Sequence, residues 1–265
     1  MPENNTETDA AKTADNAAKT RDIIRALQCV VDPRMRPAVL GDRLLALEDD
    51  EILEVISLLH AMAYEGSKGA REAWSTLTGP GAFIDRLDKF RKSRLYHKAI
   101  KKKYEAVPAL FSKGRAARGS DGEGQNFQVY GLADLSLGER MSKARQIDRG
   151  TRTKAGFDID PKVISNILLN SRTTESDVLK IASRRPNDVA VLETIFHSNK
   201  WISRYQVKIS IARNPYTPSN IARNLLPQLL QKDLLEIRYD SALHMEVRKA
   251  AQEIIDLKRR QMRPQ

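Results

Sequence analysis

Cysteine is nearly absent from this sequence, Cys29 being the only one in 265 residues. A single thiol excludes an internal disulfide and any cysteine-built zinc or iron–sulfur site, and it agrees with a reducing compartment. Aromatics are 6% of the chain and hydrophobic residues 41%, enough for a core but near the low end for globular proteins. No apolar run approaches the ~20 residues that span a bilayer. The Asn/Thr/Ala-rich opening also lacks a secretory apolar region. A cytoplasmic protein with no membrane insertion is therefore expected. His60, His97, His197 and His244 are scattered, with no two at a metal-binding i, i+4 spacing, and no serine has a nucleophile-elbow context. Asp49, Asp50, Glu51 and Glu54 suit a helix N-terminus better than a cation. Gly122-x-Gly124 has neither a preceding strand nor a following Gly-Lys-Ser/Thr, so it is no phosphate cradle. The expectation is a non-enzymatic chain without cofactor or metal.

What the chain does have is positive charge, unevenly placed. The net charge is +11. Residues 1–85 hold 9 Lys and Arg against 15 Asp and Glu, residues 86–154 hold 18 against 7, and residues 155–265 hold 18 against 12. A basic centre favours association with polyanions or acidic partners and says nothing of fold.

Helical periodicity dominates. Residues 1–19, small and polar, are expected to form a disordered tail. An N-terminal helical domain is expected over 20–112, with Ile23, Ile24 and Leu27 at helical spacing before Asp32-Pro33, and a clear apolar stripe at Ile52, Val55, Ile56, Leu59 and Ala63. Further on, Tyr96, Ile100, Tyr104 and Val107 share one expected face. Arg91, Arg94, Lys98, Lys101 and Lys102 share the opposite one, read as a solvated face or a polyanion-binding stripe. The glycine-rich stretch 113–135 reads as a linker or long loop, and 136–265 as a C-terminal repeat domain.

That last region resembles itself. Val163-Ile164-Ser165-Asn166-Ile167-Leu168-Leu169-Asn170 is echoed 43 residues later by Gln206-Val207-Lys208-Ile209-Ser210-Ile211-Ala212-Arg213, with a partial third copy from Glu246. Thr174 with Asp177 predicts a capping box, and Thr217-Pro218 predicts the matching helix start. Ile164, Leu168, Val207, Ile211, Val247 and Ala251 are expected to form one buried seam. A period of 40 to 43 with two or three short helices resembles a HEAT or armadillo unit. The wording Ile211-Ala212-Arg213-Asn214-Pro215-Tyr216-Thr217-Pro218-Ser219-Asn220-Ile221 also resembles the bacterial variant leucine-rich repeats. These resemblances imply an all-α, right-handed α-solenoid with an N-terminal helical region. They imply a binding or scaffolding role and bring no catalytic residues. The iron–sulfur module that variant leucine-rich proteins can carry has no ligands here.

Two functions follow as expectations. The first is a scaffold or adaptor that binds a protein or peptide in a solenoid groove, with Trp201, Arg204, Tyr205 and Lys208 as the candidate anchors, types enriched at interface hot spots. The second is a nucleic-acid-binding repeat protein, similar in coarse architecture to HEAT-like alkylation-repair glycosylases, which would use the basic central region. No motif of those glycosylases, or of HEAT-like bilin lyases, is matched.

Overall fold

The computed structural model describes residues 4–79, 83–104, 107–111, 114–119, 132, 134–146 and 148–261. Helices are the only regular elements among them. The chain divides into one unit of Met1–Lys113 with Asp256–Gln265 and a second of Gly114–Ile255. The expected loop 113–135 lies mostly outside the described residues, Gly122-x-Gly124 included. Within its described part, Ser219 donates its amide to the Arg115 carbonyl (3.0 Å) and Arg118 donates to the Pro215 carbonyl (3.1 Å).

The first unit holds α1 (Asn4–Cys29), α2 (Arg36–Leu45), α3 (Asp49–Tyr64), α4 (Lys68–Thr78), α5 (Lys89–Lys101) and α6 (Val107–Phe111). Its centre is α3, which packs on α1, α4 and α5. That helix starts where Glu48 and Glu51 close a capping box and Asp49, Asp50 and Glu51 occupy the first turn, where negative charge complements the helix dipole. The stripe foreseen from spacing is buried, with Ile52 and Ile56 fully so, and Leu53 beside it is buried as well. Gly66 (φ 97°) ends the helix in the left-handed region that glycine adopts at no steric cost.

The described part of the expected tail, residues 4–19, needs correction. The first helix begins at Asn4, and Asn16 and Thr20 are buried. The segment docks through polar contacts: Asn16 Nδ2 donates to Glu54 (2.5 Å) and Lys19 Nζ to Glu51 (2.6 Å). Alanines at 10, 11, 14, 17 and 18 supply helix propensity where an apolar stripe is missing.

The second unit is a run of short helices: α7 (Leu137–Arg145), α8 (Arg149–Ala155), α9 (Pro161–Leu169), α10 (Glu175–Ser183), α11 (Val189–Phe196), α12 (Asn199–Ile202), α13 (Tyr205–Ala212), α14 (Ser219–Leu225), α15 (Gln231–Tyr239) and the start of α16 (Met245–Gln261). Here α7 packs on α9, α9 on α11, and α10 on α13. All six residues of the expected seam are buried, each 4% exposed or less.

Helices of seven to nine residues leave about half of their carbonyls without intrahelical partners, so nearby side chains must supply donors. They do so twice in the same way. Asn170 Nδ2 donates to the Ala144 and Gln146 carbonyls (3.1 and 3.0 Å), and its Oδ1 accepts the Arg172 amide (2.9 Å). Thr173 Oγ1 donates to the Ile167 carbonyl (2.6 Å). Asn214 Nδ2 donates to the Ala182 and Arg184 carbonyls (2.8 and 3.0 Å), and its Oδ1 accepts the Tyr216 amide (3.1 Å). Thr217 Oγ1 donates to the Ile211 carbonyl (2.7 Å). Each asparagine thus ties the end of its own helix to the end of the helix it packs on: α9 to α7, and α13 to α10. Asp158 and Asp240 repeat only the inner half, accepting the amide two residues on (2.9 and 3.0 Å), because a carboxylate has no proton for a neighbour's carbonyl.

The two sets of bonds stand 44 residues apart, against the spacing of 43 expected from the sequence. Thr173, not Thr174, is the counterpart of Thr217. The capping box at Thr174 and Asp177 forms as expected, but Thr217 is a buried turn residue and Pro218 is the N-cap of α14. Buried guanidinium groups perform a similar service. Arg184 reaches the Gly156 and Asp158 carbonyls (both 3.2 Å), and Arg152 the Arg172 carbonyl (3.2 Å).

Candidate binding groove

Trp201 and Tyr205 are taken up by the fold. Trp201 is buried, 3% exposed, and its Nε1 donates to the Leu168 carbonyl (2.8 Å), one of the orphan carbonyls at the end of α9. This wedge between helices is not presented to a partner. The Tyr205 hydroxyl accepts the Leu230 amide (2.8 Å) and donates to Asp233 (2.5 Å), holding the start of α15. Burial first, and the adjacent Asp233 carboxylate second, push its pKa up to about 12. Lys208 is half-buried, and burial lowers its pKa. Arg204 alone of the four is exposed, as the residue preceding α13.

The basic stripe of α5 is also corrected. Leu95 and Ala99 are the buried residues of this helix, whereas Ile100 is 50% exposed and Tyr96 half-buried. The spacing Arg91, Leu95, Lys98, Lys102 therefore belongs to the side facing α3. Arg91 Nε bonds Asp49 (3.0 Å) and its Nη2 the Leu47 carbonyl (3.1 Å), and Arg94 bonds the other oxygen of Asp49. Lys98 and Lys102 close on Asp50 (3.0 and 3.2 Å). Burial alone would raise the Asp49 pKa, but Arg94 and Arg91 together bring it below the ordinary value. Lys98, then Lys102, lower that of Asp50. Four members of the stripe are thus directed at two carboxylates of the same unit; Lys101 stays exposed.

A different set of residues forms a surface depression in the second unit. A groove of about 730 Å³ crosses α7, α9 and α11. Each helix contributes one face at three- to four-residue spacing: Met141 and Arg145 from α7; Lys162, Ser165, Asn166 and Leu169 from α9; Ala190, Glu193 and Thr194 from α11, with His197 as its C-cap. Leu169 is 81% exposed, an apolar side chain left bare beside small and polar neighbours. Asn166 is oriented by its Nδ2 donating to the Lys162 carbonyl (2.8 Å) and its Oδ1 accepting Arg145 Nε (2.7 Å). Thr194 Oγ1 is turned back to the Ala190 carbonyl (2.7 Å).

The charged lining is Arg145 and Lys162 against Glu193, with His197 at one end, so the groove carries a small positive excess near neutral pH. Sequence reading missed it because each contributing face, taken alone, looks like the solvated side of an amphipathic helix. Only the packing of α7 on α9 and α9 on α11 joins the three. Among the described residues no group of three or more His, Cys, Asp or Glu side chains is placed to hold a metal ion. No helix among them is long and apolar enough to cross a membrane. Comparison of the chain with protein-family models, with curated proteins and with solved structures finds no match.

Proposed function

We propose that the chain is a non-enzymatic scaffold or adaptor of the cytoplasm, whose second unit is a right-handed, HEAT-like solenoid that holds a protein segment in the groove across α7, α9 and α11. The observation that carries this reading is the groove itself, with exposed Leu169 at its side and Asn166 already oriented within it. The doubled asparagine tie, α9 to α7 and α13 to α10, supports the repeat interpretation, since it joins helix ends in the same manner 44 residues apart. Preorganised polar groups beside an apolar anchor suit a peptide chain, whose amides and side chains can use both.

The partner's chemistry follows from the lining: an apolar residue to cover Leu169 and Met141, with a carboxylate near Arg145 or Lys162. Peptide display against the full chain, followed by calorimetric titration of the selected sequences, tests it. Leu169→Asp and Ala190→Arg should each weaken binding at least about tenfold, the loss of one well-packed contact (about 1.4 kcal/mol), with helical circular dichroism unchanged. Selected peptides that bind both variants as tightly as the wild-type chain would remove the groove from consideration. The pairing of Arg91, Arg94, Lys98 and Lys102 with Asp49 and Asp50 takes from the nucleic-acid alternative the stripe on which it rested.

A further inference from the structure

Because its inner side is engaged with α3, α5 is rotated so that another row faces solvent. Phe90 is 87% exposed, Ile100 is 50% exposed, and Lys89, His97 and Lys101 are exposed. At 100° per residue Phe90, Arg94, His97 and Lys101 lie within an arc of about 60°, and Lys101 stands about 16 Å beyond Phe90 along the axis. Among the described residues neither Lys89 nor Lys101 has an ion-pair partner. Asp88, at the Phe90 end, is turned back to accept the Arg91 amide (2.8 Å) as the helix cap. A single exposed apolar side chain is ordinary on a protein surface. An exposed ring on one helix face with two lysines that have no ion-pair partner, Lys89 and Lys101, in the most basic third of the chain, is a more specific combination.

We infer that this outer face of α5 is a contact surface for single-stranded nucleic acid, with Phe90 as a stacking ring and, as phosphate contacts, Lys101 in its row and Lys89 about 100° round the helix from it. Every base offers a π-face to an aromatic ring, and the cations track the backbone between stacked bases. A duplex keeps its bases stacked and would leave the Phe90 ring without a partner. A membrane surface is a poorer fit, because an interfacial helix needs a broad apolar face and this row offers only Phe90 and Ile100. The site is distinct from the groove of the second unit, and its chemistry does not depend on that groove.

Fluorescence anisotropy with the full chain tests the inference, using a labelled mixed-sequence single strand, its duplex, and vesicles containing phosphatidylserine. Binding to the single strand at low salt is expected, preferred over the duplex. The log–log salt slope should be about −1.4 for two phosphate contacts at roughly −0.7 each. Phe90→Ala should weaken it at least about fivefold, the lower end of base-stacking losses, and Lys101→Glu should flatten the slope. Lys98→Ala, whose ammonium faces Asp50, should change affinity little. Absence of single-strand binding at low salt, indifference to Phe90→Ala with circular dichroism unchanged, or binding to vesicles alone would each overturn the assignment.

Discussion

Asp49 shows how much a single carboxylate can organise. It opens α3, is 8% exposed, and receives both Arg91 and Arg94. A carboxylate whose folded pKa is depressed stabilises the fold above its unfolded pKa, near ~4. That contribution is lost as pH falls through the lower folded value. Asp49→Asn is therefore expected to lower the urea midpoint at neutral pH and to make the acid side of the stability profile shallower. Parallel urea titrations between about pH 2 and 7 check this, the acid limb being set by the depressed carboxylates; parallel curves for the two proteins would mean that the pair does not set the acid limb. Asn214 makes a second residue-scale case. Removing its side chain leaves the Ala182 and Arg184 carbonyls without their donor, and Asn214→Ala should cost about 1–3 kcal/mol for each buried acceptor left unpaired. Asn214→Asp should be little better, since it retains the bond to Tyr216 but cannot donate. Equilibrium unfolding of both variants separates the two halves of the motif.

At the scale of the element, the helices read most easily were those whose apolar stripe and cap agreed. In α3 the spacing of Ile52, Ile56 and Leu59 and the acids ahead of them point to one answer, and in α10 the box of Thr174 and Asp177 forms as spacing requires. The face of α5 was misread because Tyr96 and Ile100 carry more apolar surface than Leu95 and Ala99. What decides its rotation is the attraction of four cations to Asp49 and Asp50, which come from more than forty residues away. In α13, Ile211 is wholly buried, so Ile211→Ala should cost about 2–5 kcal/mol. Lys208 on the same helix, a candidate anchor in the sequence, is half-buried, and burial holds its pKa down. A base depressed in this way opposes folding while it is charged, and the penalty is relieved as pH rises through the folded pKa toward the unfolded one. Lys208→Met should accordingly be neutral or stabilising at pH 7, which urea unfolding at neutral and alkaline pH would show; a loss comparable to that of Ile211→Ala would contradict this account.

At the scale of the whole molecule, two units carry two different surfaces, a mixed groove and a cationic row with an exposed ring. Leu169→Asp should weaken peptide binding at least about tenfold and leave oligonucleotide affinity unchanged, and Phe90→Ala should weaken oligonucleotide binding at least about fivefold and leave peptide affinity unchanged. Titrating each ligand against each variant of the full chain reads the four combinations. By itself the sequence determined the helical character of the chain and some of its helix starts, such as those of α3 and α10. These are local matters, set by 3.6-residue periodicity, side-chain caps and glycine at turns. Tertiary structure alone decided that Trp201 is a buried donor to Leu168, that the basic stripe is largely neutralised, and that faces of α7, α9 and α11 make one groove. Each of those depends on which groups from distant positions meet, and a linear pattern of residue types carries no record of where its unpaired carbonyls and charges will find partners.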